Sequence, residues 1–296
     1  HVRSANQFRY LVDEYGVPSY LPLHEQVAMR VGATMSKLAP DIVMPAVTSK
    51  MRSESSKVIL PSESDELKPH LRKRKKGNTR MNINQLGEAI LGEEEAEHRM
   101  QQVIERLEDP DCEYISVKIS AVFSQINLVA YDDTLAKIEE RLRRLYRTAL
   151  QHTFTKEDGT KSPKFVNLDM EEYRDLHLTC DAFKKVLLEK EFINMRAGIV
   201  LQAYLPDSYE VQKDLTAWAT SRVKQGGAQI KIRIVKGANL AMESVEASIH
   251  DWEQAPYYTK ADVDANYKRM VEYGSTKAHA EVVNLGVASH NLFEIA

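Results

Sequence analysis

Hydrophobic and polar residues follow two different periods along most of the chain from residue 80 onward. Six short segments show the period-2 alternation or the short apolar run of a β-strand. Between them, apolar residues recur every three to four positions, which predicts amphipathic helices. The predicted strands are 80–84, 114–120, 164–170, 198–204, 229–235 and 285–290, and the predicted helices are 93–107, 131–151, 171–189, 208–225, 239–250 and 262–273.

This alternation of strands and helices predicts an α/β fold in which parallel strands are joined by right-handed crossovers. Two architectures fit the pattern, an eight-stranded barrel and a doubly wound open sheet. A barrel needs eight strand–helix units in typically about 250 residues, and the pattern contains six in about 215. The sequence begins without Met and stops at Ala296 just after a predicted strand. We therefore expect a (β/α)8 barrel that is cut after its sixth strand.

The first part of the chain has a different pattern. Apolar residues there are spaced as in helices, but four prolines interrupt them: Pro18, Pro22, Pro40 and Pro45. This predicts several short helices. We interpret residues 1–78 as a helical arm or cap and residues 79–296 as the barrel domain. The basic run at 68–76 is typical of a solvated linker, and a patch for a membrane surface or an anionic partner is the alternative.

Composition narrows the function classes. The 40 basic and 43 acidic residues nearly balance, which argues against a nucleic-acid partner. Cys112 and Cys180 lie far apart without CxxC spacing, so we expect reduced thiols in a cytoplasmic protein. The sequence has no apolar run of about 18 residues and no signal-peptide pattern, although peripheral membrane contact stays open. The histidines lack metal-ligand spacing such as HExxH, so we expect no bound metal.

Polar residues stand at the carboxyl end of every predicted strand, where parallel α/β folds place their active sites. They are Asn84 with Glu88 just beyond it, Lys118, Asp169, Gln202, Arg233 with Lys236, and Ser289 with His290 and Asn291. One such residue would mean little, because strand ends are exposed. Six sets together favour a catalytic or cofactor site, because buried polar groups need partners.

The segment 229–247 carries the most specific local signal. A strand with isoleucines on one face ends at Arg233 and Lys236, and Gly237 then leads into a helix. Free N–H groups at a helix start, next to two cations, favour a phosphate or carboxylate ligand. We also expect Lys118 to point inward and to pair with Asp169 on the next strand. A strand-end lysine, Lys118 or Lys236, fits a Schiff-base nucleophile as an alternative.

Seven motifs in order carry a family resemblance. They are NQLGEAILGEEEA, YISVKISAVFSQ, FVNLDMEEYRDL, GIVLQAYLPDS, IKIRIVKGANLAMESVEAS, TKADVDANYKRMVEYG and NLGVASHNLFEIA. From about residue 80 to the end, the chain resembles the proline dehydrogenase domain of proline utilization A, a family of bifunctional flavoenzymes that also carry a glutamate-semialdehyde dehydrogenase domain. The resemblance implies a TIM barrel that binds FAD at the carboxyl ends of its strands, and an aldehyde dehydrogenase domain further along the full chain.

The resemblance also implies roles for individual residues. Arg233 is expected beside the flavin N5 edge, where a fixed cation stabilises negative charge. Lys118 and Asp169 are expected to line the proline pocket, with Glu88 as the acidic member of its gate. The remaining expected FAD contacts are Gln202, Val235, Lys236, Gly237, Ala238, Ser289, His290 and Asn291.

The implied reaction is oxidation of L-proline to Δ1-pyrroline-5-carboxylate by hydride transfer to flavin N5, with electrons passed to a membrane quinone. Two departures stand out. The family grips the proline carboxylate with an arginine pair on the eighth helix, which would lie beyond Ala296. Asn239 occupies a position that is aromatic in many members. We therefore expect this span to bind FAD weakly and to need the remaining part for turnover. A non-catalytic scaffold is a further alternative.

Overall fold

The computed structural model describes residues 1–55, 64–84, 90 and 92–295. The chain divides into two compact units, His1–His70 and Leu71–Ala296. The domain boundary expected from the sequence, between residues 78 and 79, stays a prediction. Across the described residues, no helix is both long enough and apolar enough to cross a membrane.

The first unit consists of helices, as the proline-interrupted pattern predicted. Its helices are α1 (Val2–Tyr15), α2 (Leu23–Met35), α3 (Pro40–Ser55) and the first half of α4 (Ser64–Lys76). Pro40 is the first residue of α3, where the N–H that proline lacks would have no helical partner. The basic run at 68–76, interpreted as a linker, is helical instead. Four cations in the last turn of α4 are favourable there, because a helix carboxyl end attracts positive charge.

The second unit is built on parallel strands. The strands are β1 (Asn82–Asn84), β2 (Tyr114–Lys118), β3 (Thr153–Thr155), β4 (Lys161–Pro163), β5 (Phe165–Asp169), β6 (Gly198–Gln202), β7 (Ile230–Val235) and β8 (Val283–Val287). Six of them form one sheet in the order β1-β2-β5-β6-β7-β8, and every pairing in it is parallel. Each strand lies beside the next in the chain. This sequential order is that of a barrel, because a doubly wound sheet reverses its strand order.

Helices connect these strands. They are α5 (Glu93–Glu108), α6 (Ile119–Val122), α7 (Tyr131–Gln151), α8 (Leu176–Leu187), α9 (Ser208–Lys224), α10 (Leu240–His250), α11 (Lys260–Ser275), α12 (Lys277–Ala280) and α13 (Leu292–Ile295), with a 3₁₀ turn at Tyr173–Asp175. The helix predicted to start at residue 171 starts later, at Leu176, after the 3₁₀ turn. The Tyr173 amide in that turn donates to the Glu243 carboxylate (2.7 Å).

The sheet has two unlike faces. Its apolar face is buried against the helices and includes Val117, Leu168, Leu201, Ile232 and Ile234. The opposite side, called the polar face below, carries Tyr114, Ser116, Lys118, Asn167, Asp169, Gln202, Lys231 and Arg233. The alternation predicted for β7 is confirmed, because Ile230, Ile232 and Ile234 are buried while the residues between them are partly exposed. The pleat thus places Lys118, Asp169 and Arg233, three of the predicted charged residues, on one side of the sheet.

Further features differ from the sequence prediction. The hairpin of β3 and β4 was not predicted; it turns through Gly159, with φ +80°, and Asp158 accepts a hydrogen bond from the Thr160 amide (2.9 Å). The strand predicted at 285–290 begins and ends earlier, at Val283–Val287. Ser289 is outside it because its hydroxyl accepts from the Asn291 amide (3.0 Å), which forms a turn.

Candidate active site

Asp169, the last residue of β5, is the centre of a polar cluster on the polar face. It is 8% exposed. Its Oδ1 accepts from Arg233 Nη2 (2.5 Å) and from Asn167 Nδ2 (2.9 Å), and its Oδ2 accepts from Asn84 Nδ2 (2.9 Å). Burial raises the pKa of this carboxyl, while the Arg233 guanidinium opposes the rise. Sequence reasoning placed Asn84, Asp169 and Arg233 at strand ends, and the structure brings all three together.

The reach from Arg233 to Asp169 passes over β6. Arg233 is paired in register with Val200 on β6, and Leu168 is paired with Ile199. Val200 is small and apolar, so it leaves the guanidinium free to extend to the second strand along. Gly198, on the same face of β6, has no side chain at all, and a Cβ there would lie only 3.0 Å from the Phe165 ring. Small residues on β6 therefore allow the ion pair to form.

Lys118 does not pair with Asp169, contrary to the prediction. The two are register partners on β2 and β5, but the Lys118 ammonium contacts Glu171 Oε1 (2.6 Å). Ser120 donates to the other oxygen of Glu171 (2.8 Å). Asp169 is already occupied by Arg233, and the long lysine side chain reaches two residues beyond the strand end. Glu171 was missed as a site residue. The two consecutive glutamates directly after β5 are the signal that could have shown it.

Gln202 and Asn239 meet at the same backbone oxygen. Gln202 Nε2 lies 3.3 Å from the carbonyl oxygen of Glu171, and Asn239 Nδ2 donates to that oxygen at 3.0 Å. Gln202 is buried at the end of β6, as predicted for a strand-end residue that faces the site. Asn239, whose sequence position raised a question about pocket shape, therefore ties the start of α10 to the loop after β5.

The turn from β7 to α10 is the segment for which the sequence predicts an anion cradle. Gly237 has φ +128°, a conformation that residues with a Cβ rarely adopt. A Cβ at this position would lie 2.6 Å from Cδ1 of Tyr204. Gly237 and the neighbouring Ala238 are exposed, and Val235 is half-buried at the end of the strand. Backbone in this turn is thus open to a ligand.

Lys236, in the same turn, is already paired. Its ammonium contacts Asp264 (2.6 Å) and Glu294 (2.7 Å), and these carboxylates raise its pKa. It also lies 5.3 Å from the centre of the Tyr267 ring. These carboxylate partners were not predicted from the sequence, because Asp264 and Glu294 come from separate helices. Lys236 belongs to a second polar cluster, joined to α11 and to the turn after β8.

The residues after β8 lie in that second cluster. Ser289 donates its hydroxyl to Glu294, and Asn291 Oδ1 accepts from the Phe293 amide (3.0 Å). His290 is exposed. Glu88, the predicted gate residue, lies outside the described residues. The structure therefore brings Asp169 and Arg233 together in one cluster, and Lys236 and Ser289 together in another, around Glu294.

Two observations bear on ligands. A cavity of about 340 Å³ adjoins Lys118 and is also lined by residues of α5. Within the described ranges, no group of three or more His, Cys, Asp or Glu side chains is arranged to hold a metal ion. The expectation that no metal binds stays a prediction.

The chain is similar to known proteins. The family model described as Proline dehydrogenase matches residues 67–296. The bifunctional protein PutA of Klebsiella aerogenes is 26% identical over 248 residues, 79% of this chain and 18% of that protein. The bifunctional protein PutA of Escherichia coli K12 is also 26% identical over 248 residues. The chain thus spans about a fifth of the length of these curated relatives.

Two solved structures extend the likeness to the fold. Proline utilization A (PutA) from Corynebacterium freiburgense is 44% identical with a TM-score of 0.75, over 88% of this chain and 26% of that one. PutA from Bdellovibrio bacteriovorus, inactivated by N-propargylglycine, is 30% identical with a TM-score of 0.72, over 99% of this chain and 31% of that one. The fold class and the family resemblance predicted from the sequence are confirmed. Since the family match includes all six parallel strands and both polar clusters, the chain belongs to the proline dehydrogenase family.

Proposed function

We propose that this chain oxidises L-proline to Δ1-pyrroline-5-carboxylate with FAD as its redox cofactor, the first step of proline catabolism. The observation that carries the proposal is the ion pair between Arg233 and Asp169, held at the carboxyl ends of parallel strands in a member of the proline dehydrogenase family. A half-buried arginine fixed by a buried acid gives an oriented positive charge, which can stabilise negative charge that develops in a reaction.

The residues present fit a flavin cofactor. Arg233 uses Nη2 on Asp169, and a guanidinium carries five N–H donors in all. A donor that this ion pair does not use suits the polar edge of a planar ring. The exposed turn at Gly237 and Ala238 precedes α10, and backbone N–H groups at such a start suit phosphates. FAD, when bound, supplies the acceptor for the hydride that leaves the proline carbon next to nitrogen.

The other proposed FAD contacts keep their predicted roles. Lys236 has three N–H donors and uses two of them on Asp264 and Glu294, which leaves one for a phosphate oxygen. Gln202 lies at the end of β6, beside the cluster around Asp169. The remaining proposed contacts are Val235, Ser289, His290 and Asn291.

Lys118 and Asp169 are the proposed proline-binding side chains. Proline carries an ammonium and a carboxylate at neutral pH, so a site of mixed charge is required. The carboxylates of Asp169 and Glu171 match the ammonium, and the Lys118 ammonium beside Glu171 matches the carboxylate. Burial raises the pKa of Asp169, which makes this carboxylate a stronger proton acceptor for the substrate amine. Glu88 remains the proposed gate residue.

The Schiff-base alternative is disfavoured by the geometry. A lysine nucleophile must lose its proton, usually through burial or a neighbouring cation. The Lys118 ammonium lies 2.6 Å from Glu171, and Lys236 lies between two carboxylates. The two carboxylates raise the pKa of Lys236, and within the described part of the chain Lys118 has no neighbouring cation at ion-pair distance that would favour loss of its proton, only its ion-pair partner Glu171. The scaffold alternative gives no reason for three polar groups, Arg233, Asn167 and Asn84, to converge on the buried Asp169.

The test is a visible absorption spectrum before and after anaerobic addition of proline. We expect flavin bands on reconstitution with FAD, and bleaching by proline. The variant Arg233→Met should lower the rate of bleaching about 100-fold or more, because it removes a fixed charge from the site. Arg196→Met, which removes an exposed arginine before β6, is the matched control and should bleach as the unchanged protein does.

Because the chain spans only part of its relatives, the spectrum should be recorded on this chain and on a longer natural form that contains it. We expect weaker FAD affinity in the shorter form. A longer form that binds FAD but keeps its flavin bands in the presence of proline would refute the proposal. If neither form binds flavin after reconstitution, the proposal is also refuted and the non-catalytic scaffold is favoured.

Two further parts of the proposal concern the longer protein. The curated relatives are named bifunctional. We therefore propose that a glutamate-semialdehyde dehydrogenase domain shares the full chain. We also propose a cytoplasmic enzyme that passes electrons to a quinone at the inner membrane surface. Proline-dependent reduction of a soluble quinone, followed by NAD reduction in the same sample, tests both parts. A protein that reduces neither acceptor while its flavin is bleached by proline would contradict them.

A further inference from the structure

Lys231 is a lysine on the polar face that the proposed function does not use. It is the second residue of β7, two residues before Arg233 on the same face. Its ammonium lies 4.9 Å from the ring centre of Tyr114 and 5.8 Å from that of Phe165. These two rings meet edge to face with centres 4.9 Å apart. Lys231 is therefore held against aromatic rings in the layer below the Arg233–Asp169 pair.

The charges around Lys231 do not balance. Three nearby cations each have a carboxylate: Arg233 with Asp169, Lys118 with Glu171, and Arg80 with Glu113. Among the described residues, no carboxylate lies within ion-pair distance of Lys231. This region thus carries one positive charge in excess. A partly buried charge without a counter-charge is unfavourable, so the group either gains an anion or loses its proton.

Two hydrogen-bond donors near Lys231 are also unsatisfied. The Tyr114 hydroxyl and Arg233 Nε are buried, and neither has a partner at full hydrogen-bond geometry within the described part of the chain. The Arg233 guanidinium is close enough to the hydroxyl oxygen to interact with it, and its charge and this contact offset part of the rise that burial causes in the pKa of Tyr114. Buried polar atoms without partners are rare in folded proteins and commonly mark a bound water or ion.

Two buried amide oxygens on the same face, Asn82 Oδ1 and Asn167 Oδ1, are likewise without partners. They cannot bind an anion, but they can accept hydrogen bonds from water. The polar face thus offers positive charge and hydrogen-bond donors around Lys231, and hydrogen-bond acceptors on β1 and β5. This set suits an anion with accompanying water better than a cation.

We propose that a small monovalent anion of the size of chloride binds on the polar face between the Lys231 ammonium, Arg233 Nε and the Tyr114 hydroxyl. One negative charge balances the one excess positive charge, and the anion satisfies both orphaned donors. It also holds the Arg233 guanidinium from the side opposite Asp169. Without the anion, burial and the neighbouring cations Arg233 and Arg80 lower the pKa of Lys231. The anion therefore keeps Lys231 charged. The inference does not depend on the proposed oxidation of proline.

Bromide is the probe, because it replaces chloride and scatters X-rays anomalously. Crystals of the protein soaked in sodium bromide should show an anomalous peak within hydrogen-bond distance of Lys231 Nζ, Arg233 Nε and the Tyr114 hydroxyl. The peak should be absent in Lys231→Met. It should remain in Lys224→Met, which removes an exposed lysine at the end of α9.

A solution measurement supports the crystals. Thermal unfolding is compared in sodium chloride and in sodium gluconate of equal ionic strength, since gluconate is too large for the site. We expect chloride to raise the Tm by about 2 to 4 °C in the unchanged protein and in Lys224→Met. Lys231→Met, and Lys231→Gln as a second variant should Met fail to fold, should show no difference between the salts.

The proposal is overturned if the unchanged protein has equal Tm values in both salts and no bromide peak, which would mean that Lys231 is neutral or contacts only water. A bromide peak that persists in Lys231→Met would also overturn it. In that case the ion would be adventitious, held by the other two donors without the excess charge.

Discussion

At the scale of single residues, Arg222 is a buried arginine whose structural role the sequence pattern does not indicate. It is 1% exposed in α9 and has no acidic partner among the described residues. Its guanidinium instead donates to backbone carbonyls of five residues, Leu187, Phe192, Ile193, Met195 and Ala228. Burial lowers its pKa to about 10. One side chain thus provides hydrogen bonds to backbone carbonyls in both the α8–β6 and the α9–β7 connections.

Replacing Arg222 with Met should destabilise the protein strongly. Methionine has a similar length but no donors, so several buried carbonyl groups would lose their hydrogen bonds. We expect the free energy of unfolding to fall by about 3 to 5 kcal/mol. Urea denaturation followed by circular dichroism measures it. Lys224→Met, two residues further on the same helix and exposed, should change the value by less than about 0.5 kcal/mol. Equal stability of the two variants would contradict the role given to Arg222.

Gly237 allows a second prediction at the residue scale. Gly237→Ala should destabilise for two reasons, the unfavourable φ of +128° and the approach of the new Cβ to the Tyr204 ring. Gly226→Ala is the matched control, because Gly226 also has positive φ (+87°) but open space around its Cβ. We expect about 1 kcal/mol for Gly226→Ala and about 2 to 4 kcal/mol for Gly237→Ala in urea denaturation. Similar losses for both would show that the Tyr204 contact is unimportant.

At the scale of elements, the turn before α8 collects acidic groups. Asp175 is 6% exposed at the start of α8, and its Oδ1 has no hydrogen-bond partner within the described residues. Burial raises its pKa to about 6, and the carboxylates of Glu172, Glu171 and Glu243 act in the same direction, against Arg174. Glu243 of α10 also accepts from the Tyr173 amide (2.7 Å). This turn therefore joins α8 and α10 through groups that are sensitive to pH.

Asp175→Asn should change how stability depends on pH. The folded pKa of about 6 exceeds the ordinary value of about 4, so the folded state binds more protons than the unfolded state between these values. Stability from this group is complete below pH 4 and is lost as the pH rises through 6. Asparagine carries no charge, so the variant should be more stable than the parent by about 1 to 3 kcal/mol at pH 7.5, with little difference at pH 4.

Urea denaturation at both pH values measures this difference. Asp158→Asn in the exposed β3–β4 turn is a control with the opposite sign, because hydrogen bonds from Thr160 lower the pKa of Asp158. It should not become more stable at pH 7.5. If Asp175→Asn is equally stable as the parent at pH 7.5, the turn relieves the buried charge in another way.

The elements also show what sequence patterns can and cannot predict. Alternation predicted β7 because one face of that strand is buried and the other is polar. It missed β3 and β4, where three-residue strands are too short to show a period. Strand-end position predicted that Asp169 and Arg233 belong to one site. It could not predict that Arg233 reaches across β6 or that Lys118 turns to Glu171, because partner choice depends on side-chain reach across neighbouring strands.

At the scale of the whole molecule, the second unit separates its chemistry from its stability. The apolar face of the sheet and the helices form one contiguous core, which includes residues from β2 to β8. The polar face carries the ion pairs of Lys118 with Glu171 and of Arg233 with Asp169, and unsatisfied polar atoms of Tyr114 and Arg233. Because a strand alternates its side chains, the same six strands supply both. Changes on the polar face should therefore alter ligand binding with less effect on stability than changes on the apolar face.

The two cysteines can test whether the second unit unfolds as one body. Cys112 lies just before β2 and Cys180 lies in α8; they are 1% and 3% exposed. Burial raises the pKa of Cys112 to about 11 and of Cys180 to about 12, so the reactive thiolate is scarce in the folded state. At pH 8 without denaturant, we expect both thiols to react with a disulfide reagent at least about 100-fold more slowly than in the unfolded chain.

The decisive comparison is between the two single-thiol variants, Cys112→Ala and Cys180→Ala, at increasing urea. If residues 71–296 share one core, each remaining thiol becomes reactive only when the whole unit opens. The two labelling rates should then rise with the same urea dependence, and opening free energies corrected for each variant's stability should agree within about 1 kcal/mol. Cys112 belongs to the part next to the edge strand β1, whereas Cys180 lies over the middle of the sheet. Faster labelling of Cys112 with a shallower urea dependence would show that β1, β2 and α5 open separately, and that the sheet is cooperative only from β5 onward.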